Sequence, residues 1–302
     1  MKSGSFPIKN GQAASNIGHK RDPLSRTYLS ASVLLLFQGL LVITGGLVRL
    51  TGSGLGCPAW PKCTPESFRP VEVDSRFHAF IEFGNRMLTF ALLAAALTTF
   101  YLVRKRAKEQ RDLNQLALLQ VLGILGQGIL GGITVLTKLH PLSVASHLLL
   151  SMLLIAGAAT LQFKLGAQVQ QKALLPGRDQ FVAKFLATIA FATLIAGTVV
   201  TGSGPHAGDI EAPRYGFSLY FVARIHTALV ALTLLTALYI LWKHPRTEIK
   251  WLLLVIFGQG LIGYVQWHLG LPQALVGLHL LGSALFWFAT WRVRLSFKYQ
   301  KN

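Results

Sequence analysis

Long apolar segments separated by short polar stretches dominate the pattern of residues along the chain. Each segment carries almost no charge and is close to the ~20 residues that a helix needs to cross the hydrocarbon core of a bilayer. The pattern predicts an all-α integral membrane protein with eight transmembrane helices. The predicted spans cover residues 28–48, 77–103, 113–136, 142–163, 181–200, 219–242, 251–267 and 273–291.

The third and fourth predicted spans are repeated in the seventh and eighth. The stretches 126–152 and 258–285 share a set of identical residues at matching positions, and one histidine keeps its place in both. They are Gly126, Gln127, Gly128, Gly131, His147 and Ser151 in the first copy and Gly258, Gln259, Gly260, Gly263, His279 and Ser283 in the second. Spans 1 and 5 also both end in Thr-Gly-Ser-Gly. Because each copy holds an even number of spans, the copies have the same orientation, related by an axis along the membrane normal.

The repeat predicts two pseudo-symmetric four-helix bundles. The N-terminal half covers residues 27–164 and the C-terminal half covers residues 181–292. A linker of residues 165–180 joins them, and residues 1–26 and 293–302 form polar tails.

Composition and charge agree with a membrane protein and set its orientation. Only 13% of the 302 residues are charged, against about 25% in soluble domains. The formal net charge of +18 does not indicate nucleic acid, because most of the 29 lysines and arginines flank one side of the predicted spans. The positive-inside rule then predicts a cell-membrane protein with both termini and the linker in the cytoplasm. The loops that face outward are residues 49–76, 137–141, 201–218 and 268–272.

The two cysteines, Cys57 and Cys63, lie in the first outward loop. Their spacing does not match a CxxC redox or zinc motif. Disulfides persist in oxidising compartments, so we expect these cysteines to form a disulfide bond, with a structural role and a redox role both open.

Three histidines lie inside predicted spans at similar depth. His147, His226 and His279 are roughly 20–25 Å above the cytoplasmic face, counted along the helices. His226 on span 6 and His279 on span 8 can face each other within one bundle. Two neutral imidazoles from facing helices hold a six-coordinate haem iron; the alternative is a pair of buried histidines satisfied by hydrogen bonds.

The N-terminal half departs from this symmetry. Asn85 on span 2 stands at the depth of His226. His78, Glu82 and Asn85 share one helix face at 100° per residue. The asymmetry suggests a permanent cofactor in the C-terminal half and a changeable ligand in the N-terminal half. An intramembrane carboxylate indicates function, although a buried ion pair between Glu82 and Arg86 is the alternative.

Several motifs resemble the haem A synthase family over nearly the whole chain. They are the first outward loop with its cysteine pair at 45–63, Ile-Glu-Phe-Gly-Asn-Arg at 81–86, and the stretches 197–209 and 259–279. The resemblance implies an eight-span enzyme that oxidises the C8 methyl of haem O to the formyl of haem A for cytochrome oxidase assembly. The implied partners are a haem O synthase and cytochrome oxidase assembly factors.

The resemblance also implies roles for the site residues. His226 and His279 correspond to the ligands of a haem b iron that relays electrons. His147 corresponds to a ligand of the substrate haem iron, and Glu82 to the catalytic acid of the family's E-x-x-H-R motif. Independently of the resemblance, the positions of Arg49, Arg86 and Arg224 near the outer boundary make them candidates to hold haem propionates, with anchoring of the helix ends as the alternative.

The histidine of the E-x-x-H-R motif is replaced by Asn85. Three interpretations follow: His147 is the only iron ligand, Asn85 is a weak second ligand, or His78 substitutes from about two turns away. We favour His147, with His78 as a secondary candidate. The Glu-Phe-Gly-Asn-Arg sequence resembles an actinobacterial-like subtype. Two other functions remain open, namely a di-haem electron-transfer cytochrome and a haem chaperone or transporter without chemistry.

Overall fold

Eight long helices make up the computed structural model, which describes residues 23–70, 76–166 and 177–298. The eight predicted spans are confirmed, since each helix is long and apolar enough to cross a membrane. The helices are α1 (Pro23–Leu50), α2 (Arg76–Arg106), α3 (Arg111–Leu136), α4 (Pro141–Gly166), α5 (Gly177–Ser203), α6 (Leu219–Lys243), α7 (Thr247–His268) and α8 (Gln273–Lys298).

Several helices extend beyond the predicted spans. α2 continues to Arg106 and α8 to Lys298, so part of the predicted C-terminal tail is helical. The extensions carry basic side chains whose charged ends reach water while their stems cover apolar surface. The guanidinium of Arg294, for example, lies 4.5 Å from the centre of the Trp291 ring. The remaining tail residues 1–22 and 299–302 and the linker residues 167–176 lie outside the described part.

Each run of four helices packs as a closed set. α1 contacts α2 and α4, and α3 contacts both α2 and α4. In the second run α5 contacts α6 and α8, and α7 contacts both α6 and α8. The two runs meet through α1, α4, α5 and α8, so the helices that carry His147 and His279 lie at the shared interface.

The largest apolar core among the described residues runs through the C-terminal half and across to α1 and α4 of the N-terminal half. Met152 and Ile155 of α4, Leu186 of α5 and Trp287 of α8 are buried together in it. The indole Nε1 of Trp287 donates a hydrogen bond of 2.7 Å to the carbonyl of Met152. Large apolar side chains such as Leu235, 63% exposed, cover the outside, as a lipid-embedded surface requires.

A Trp287→Phe variant tests the interface. It loses the hydrogen bond to Met152 and leaves a gap in the core, so we expect the free energy of unfolding to fall by at least about 1 kcal/mol. Thermal denaturation in detergent measures the change. Trp251→Phe is the matched control, because the Trp251 side chain is 61% exposed. Its replacement should leave the midpoint temperature of thermal denaturation unchanged.

Loops from both halves are tied together at the end of the molecule that carries the cysteines. The amide of Gly54 donates to the carbonyl of Gly208 at 3.0 Å. Nε of Arg49 donates to the carbonyl of His206 at 2.7 Å, and the His206 ring bonds the carbonyl of Leu271 at 2.8 Å. We call this end of the molecule the loop end.

Candidate functional site

His226 and His279 face each other inside the C-terminal half. Their ring centroids are 6.3 Å apart and the ring planes cross at 78°. The Nδ1 atom of His226 bonds the carbonyl of Thr193 on α5 at 3.1 Å. This contact fixes the ring and leaves its Nε2 atom available, as outer-sphere hydrogen bonds do for metal-ligating histidines.

The separation of the two rings suits an iron atom between them. Two metal–nitrogen bonds of about 2 Å plus half of each ring give a centroid separation of roughly 6 Å. Among the described residues, no three His, Cys, Asp or Glu side chains meet as a site for a bare metal ion. Two imidazoles alone do not complete a metal site, so a metal held by this pair would take its other ligands from elsewhere.

Glycines on neighbouring helices make room for these rings. A β-carbon at Gly197 of α5 would lie 3.3 Å from Cε1 of His226, and one at Gly263 of α7 would lie 3.4 Å from Cε1 of His279. These contacts are tighter than usual, so any larger residue would push the rings away from each other.

His147 has the same setting in the N-terminal half. A β-carbon at Gly131 of α3 would lie 3.5 Å from Cε1 of His147, which reproduces the pairing of Gly263 with His279. Nε2 of Gln127 donates to the carbonyl of His147 at 3.0 Å and to Oγ of Ser151 at 2.8 Å. In the described part of the chain the buried Nδ1 atom of His147 has no hydrogen-bond partner.

Asn85 and His78 are both bonded to groups of α1 or the residues that follow it. The hydroxyl of Thr44 on α1 donates to Oδ1 of Asn85 at 2.7 Å. Nδ1 of His78 forms a 2.8 Å bond with the hydroxyl of Ser53 at the loop end. The oxygen of Asn85 is therefore engaged by α1, whereas the bond at Nδ1 of His78 leaves its Nε2 atom available, as at His226.

Glu82 is the buried acid of the N-terminal half, with 5% of its surface exposed. Its Oε2 atom accepts a 2.7 Å hydrogen bond from the amide of Cys57. Its Oε1 atom accepts from Nε and Nη2 of Arg86 at 3.1 and 2.5 Å. The ion pair that the sequence left as an alternative is present, and both carboxylate oxygens are occupied.

Arg86 donates all five of its N–H groups. Besides the two bonds to Glu82, Nη2 donates to the carbonyl of Cys57 at 2.8 Å, and Nη1 donates to those of Ala59 and Lys62 at 3.1 and 3.0 Å. In this conformation the guanidinium has no donor left for a haem propionate.

Cys57 and Cys63 form a disulfide bond, as expected from the sequence. Residues 57–63, called the disulfide loop below, fold back onto α2 and α3 at the loop end. Sequence reasoning did not identify Thr44, Ser53 or Trp60 as neighbours of the site. The Trp60 ring covers Gly132 of α3, and the adjacent Gly-Gly pair in the sequence was the available signal for such a close approach.

Comparison with known proteins places this chain in a family. Residues 26–216 match the COX15-CtaA family, cytochrome oxidase assembly protein. The heme A synthase of Geobacillus thermodenitrificans is 30% identical over 108 residues, 35% of this chain and 32% of the relative.

Two further relatives extend the comparison. The heme A synthase of Shewanella oneidensis is 33% identical over 131 residues, 39% of each chain. That of Alkalihalophilus pseudofirmus is 25% identical over 189 residues, 61% of each chain. The matched stretches thus span less than two thirds of these relatives. Since the family match covers more than half of the sequence, the chain belongs to the COX15-CtaA family of cytochrome oxidase assembly proteins.

Proposed function

We propose that this protein is a haem A synthase. It oxidises the C8 methyl of haem O to a formyl group by two hydroxylations and the loss of water. The observation that carries the proposal is the facing pair His226 and His279, 6.3 Å apart. In the other half the equivalent histidine is His147, and Asn85 stands where a facing histidine would be. The same half buries the acid Glu82.

The C-terminal pair binds haem b, which supplies electron transfer when bound. His226 and His279 would hold its iron from α6 and α8, and the glycines beside them admit the rings. Because two protein side chains would hold it, this half would keep its pigment and not process it.

The N-terminal half binds the substrate. His147 of α4 holds the iron of haem O and orients the porphyrin, and Glu82 moves protons at the reacting methyl. A positioned carboxylic acid accelerates such proton transfers by about 10²–10⁴-fold. Because Arg86 and the amide of Cys57 hold Glu82 as a carboxylate acceptor, its proton transfer requires that at least one of these bonds open.

The membrane setting follows the charge pattern. Both termini lie in the cytoplasm and the loop end faces outward, where the disulfide of Cys57 and Cys63 is stable. A haem O synthase in the same bilayer supplies the substrate, and the product passes to cytochrome oxidase assembly.

Pigment analysis tests the function. The chain is expressed in cells that make haem O but no haem A, and the extracted haems are identified by mass. We expect a haem with a formyl group in place of one methyl. Recovery of haem O and haem b alone would contradict the proposal and favour a haem carrier.

Coordination of the substrate iron gives a second test. Since Thr44 holds the Asn85 amide and His78 lies about two turns away from Asn85 along α2, we expect His147 to be the single protein ligand. The substrate haem is then five-coordinate, and Asn85→His converts it to a six-coordinate, low-spin haem. Optical and electron paramagnetic resonance spectra of the N-terminal haem measure this change.

The His78→Ala variant is the control for this experiment. It should leave the five-coordinate spectrum unchanged. A low-spin spectrum in the unaltered protein that disappears in His78→Ala would show instead that His78 is the second ligand. The di-haem cytochrome requires two bis-histidine sites, and the Thr44–Asn85 contact argues against it.

A further inference from the structure

Arg86 holds the disulfide loop in position through hydrogen bonds to its backbone. Three of the acceptors of Arg86 are backbone carbonyls of that loop, at Cys57, Ala59 and Lys62. The remaining donors hold Glu82. The loop and the buried acid are therefore located by the same guanidinium, and neither can shift without breaking charge-assisted hydrogen bonds.

The loop in turn contacts the helix that supports His147. A β-carbon at Gly132 would lie 2.5 Å from Cδ2 and Cε2 of Trp60 and 2.9 Å from its Cγ. The indole therefore rests directly on the backbone of α3. The preceding residue, Gly131, is the one against which the His147 ring packs.

Trp60 keeps a free surface at this place. Its side chain is 42% exposed although part of its ring covers Gly132. A porphyrin is a large aromatic ring system, and an indole offers it both apolar area and an aromatic face. Consecutive positions of a helix point about 100° apart, so the indole lies beside the face of α3 that meets His147, where it can contact the edge of a bound porphyrin.

We propose that the disulfide loop forms a wall of the substrate-haem site, with Trp60 contacting the porphyrin and Arg86 acting as the positioning residue. This inference rests on the proposed function, because it assumes that a haem binds to His147. The loop is then part of the binding site and not only a cover at the membrane surface.

Interfacial anchoring is the competing explanation for an exposed tryptophan at the end of a span. Phe68 provides the comparison. It lies in the same outward segment, is 63% exposed and has the ammonium of Lys62 at 5.8 Å from its ring. An anchoring role predicts similar effects for the replacement of Trp60 and of Phe68, whereas the wall predicts an effect for Trp60 alone.

The experiment compares full-length Trp60→Ala and Phe68→Ala in detergent. The dissociation constant of the N-terminal half is measured by titration with haem O, and KM and kcat are measured by conversion to haem A. We expect Trp60→Ala to raise the dissociation constant and KM at least about fivefold, with kcat within twofold. Phe68→Ala should match the unaltered protein, and the C-terminal haem should stay bound in both.

Arg86 variants separate positioning from general stability. Arg86→Gln should raise KM and lower kcat together, because both the loop and Glu82 move. Arg86→Lys keeps the charge but cannot make five bonds. Compared with Arg86→Gln, it should therefore recover part of the lost kcat, while its KM should stay nearly as high. Full C-terminal haem occupancy in both variants shows that the fold is intact.

Three outcomes decide the inference. Equal constants for Trp60→Ala and Phe68→Ala overturn it. If the unaltered protein binds haem O without making haem A, the proposed function fails, and the dissociation constants alone still judge the role of Trp60. If Trp60→Ala also loses the C-terminal haem, Trp60→Leu decides, because leucine covers Gly132 without an aromatic ring.

Discussion

We expect the His279→Ala variant to lose most of the haem b that the proposed function assigns to the C-terminal half. The imidazole of His279 faces that of His226 at 6.3 Å, and alanine removes one of the two proposed iron ligands. Loss of a group that merely orients a metal ligand costs 10–100-fold in affinity, so loss of the ligand itself should cost at least about tenfold. The pyridine haemochrome of the purified protein measures the remaining haem b.

His268→Ala is the matched control for this experiment. His268 ends α7, is exposed, and bonds only the carbonyl of Tyr264 in its own helix. Its replacement should leave the haem content unchanged. A His279→Ala protein that keeps full haem b would show that the paired rings are a packing feature. The His147→Ala variant should keep haem b and lose haem O binding.

Glu82→Gln stops formation of the formyl group while the protein keeps its haem b. Glutamine has nearly the same shape and can still accept a hydrogen bond from the amide of Cys57, but it cannot exchange a proton. We expect the rate of haem A formation to fall by about 10²–10⁴-fold. Chromatography of extracted haems over a time course measures the rate.

The control for Glu82→Gln is Glu66→Gln. Glu66 follows the disulfide loop and is exposed, so its charge change should leave the rate unaltered. If Glu82→Gln makes haem A at the normal rate, the acid serves only to hold the loop through Cys57 and Arg86.

The helices could be predicted from the sequence because their signal is local. A run of about 20 uncharged apolar residues has few alternatives to a membrane span. The ends were less predictable, since basic side chains let α2 and α8 continue past the apolar segment. Matched depth showed that His226 and His279 could face each other, but depth does not fix the rotation of each helix about its axis, and the structure was needed to show that the two rings meet.

The contacts of α2 show what the sequence could not provide. Helical periodicity places His78, Glu82 and Asn85 on one face. In the structure that face meets α1 and the residues after it, where Ser53, Cys57 and Thr44 bond the three side chains. The path of the disulfide loop depends on these long-range bonds, and no period in the sequence encodes them.

The bond from Trp287 to Met152 couples the helix that carries His279 to the helix that carries His147. Met152 lies just over one turn from His147 on α4, and Trp287 lies about two turns from His279 on α8. In the proposed function one haem leaves at every turnover, and this bond would then hold the spacing between the two haem sites constant during the exchange.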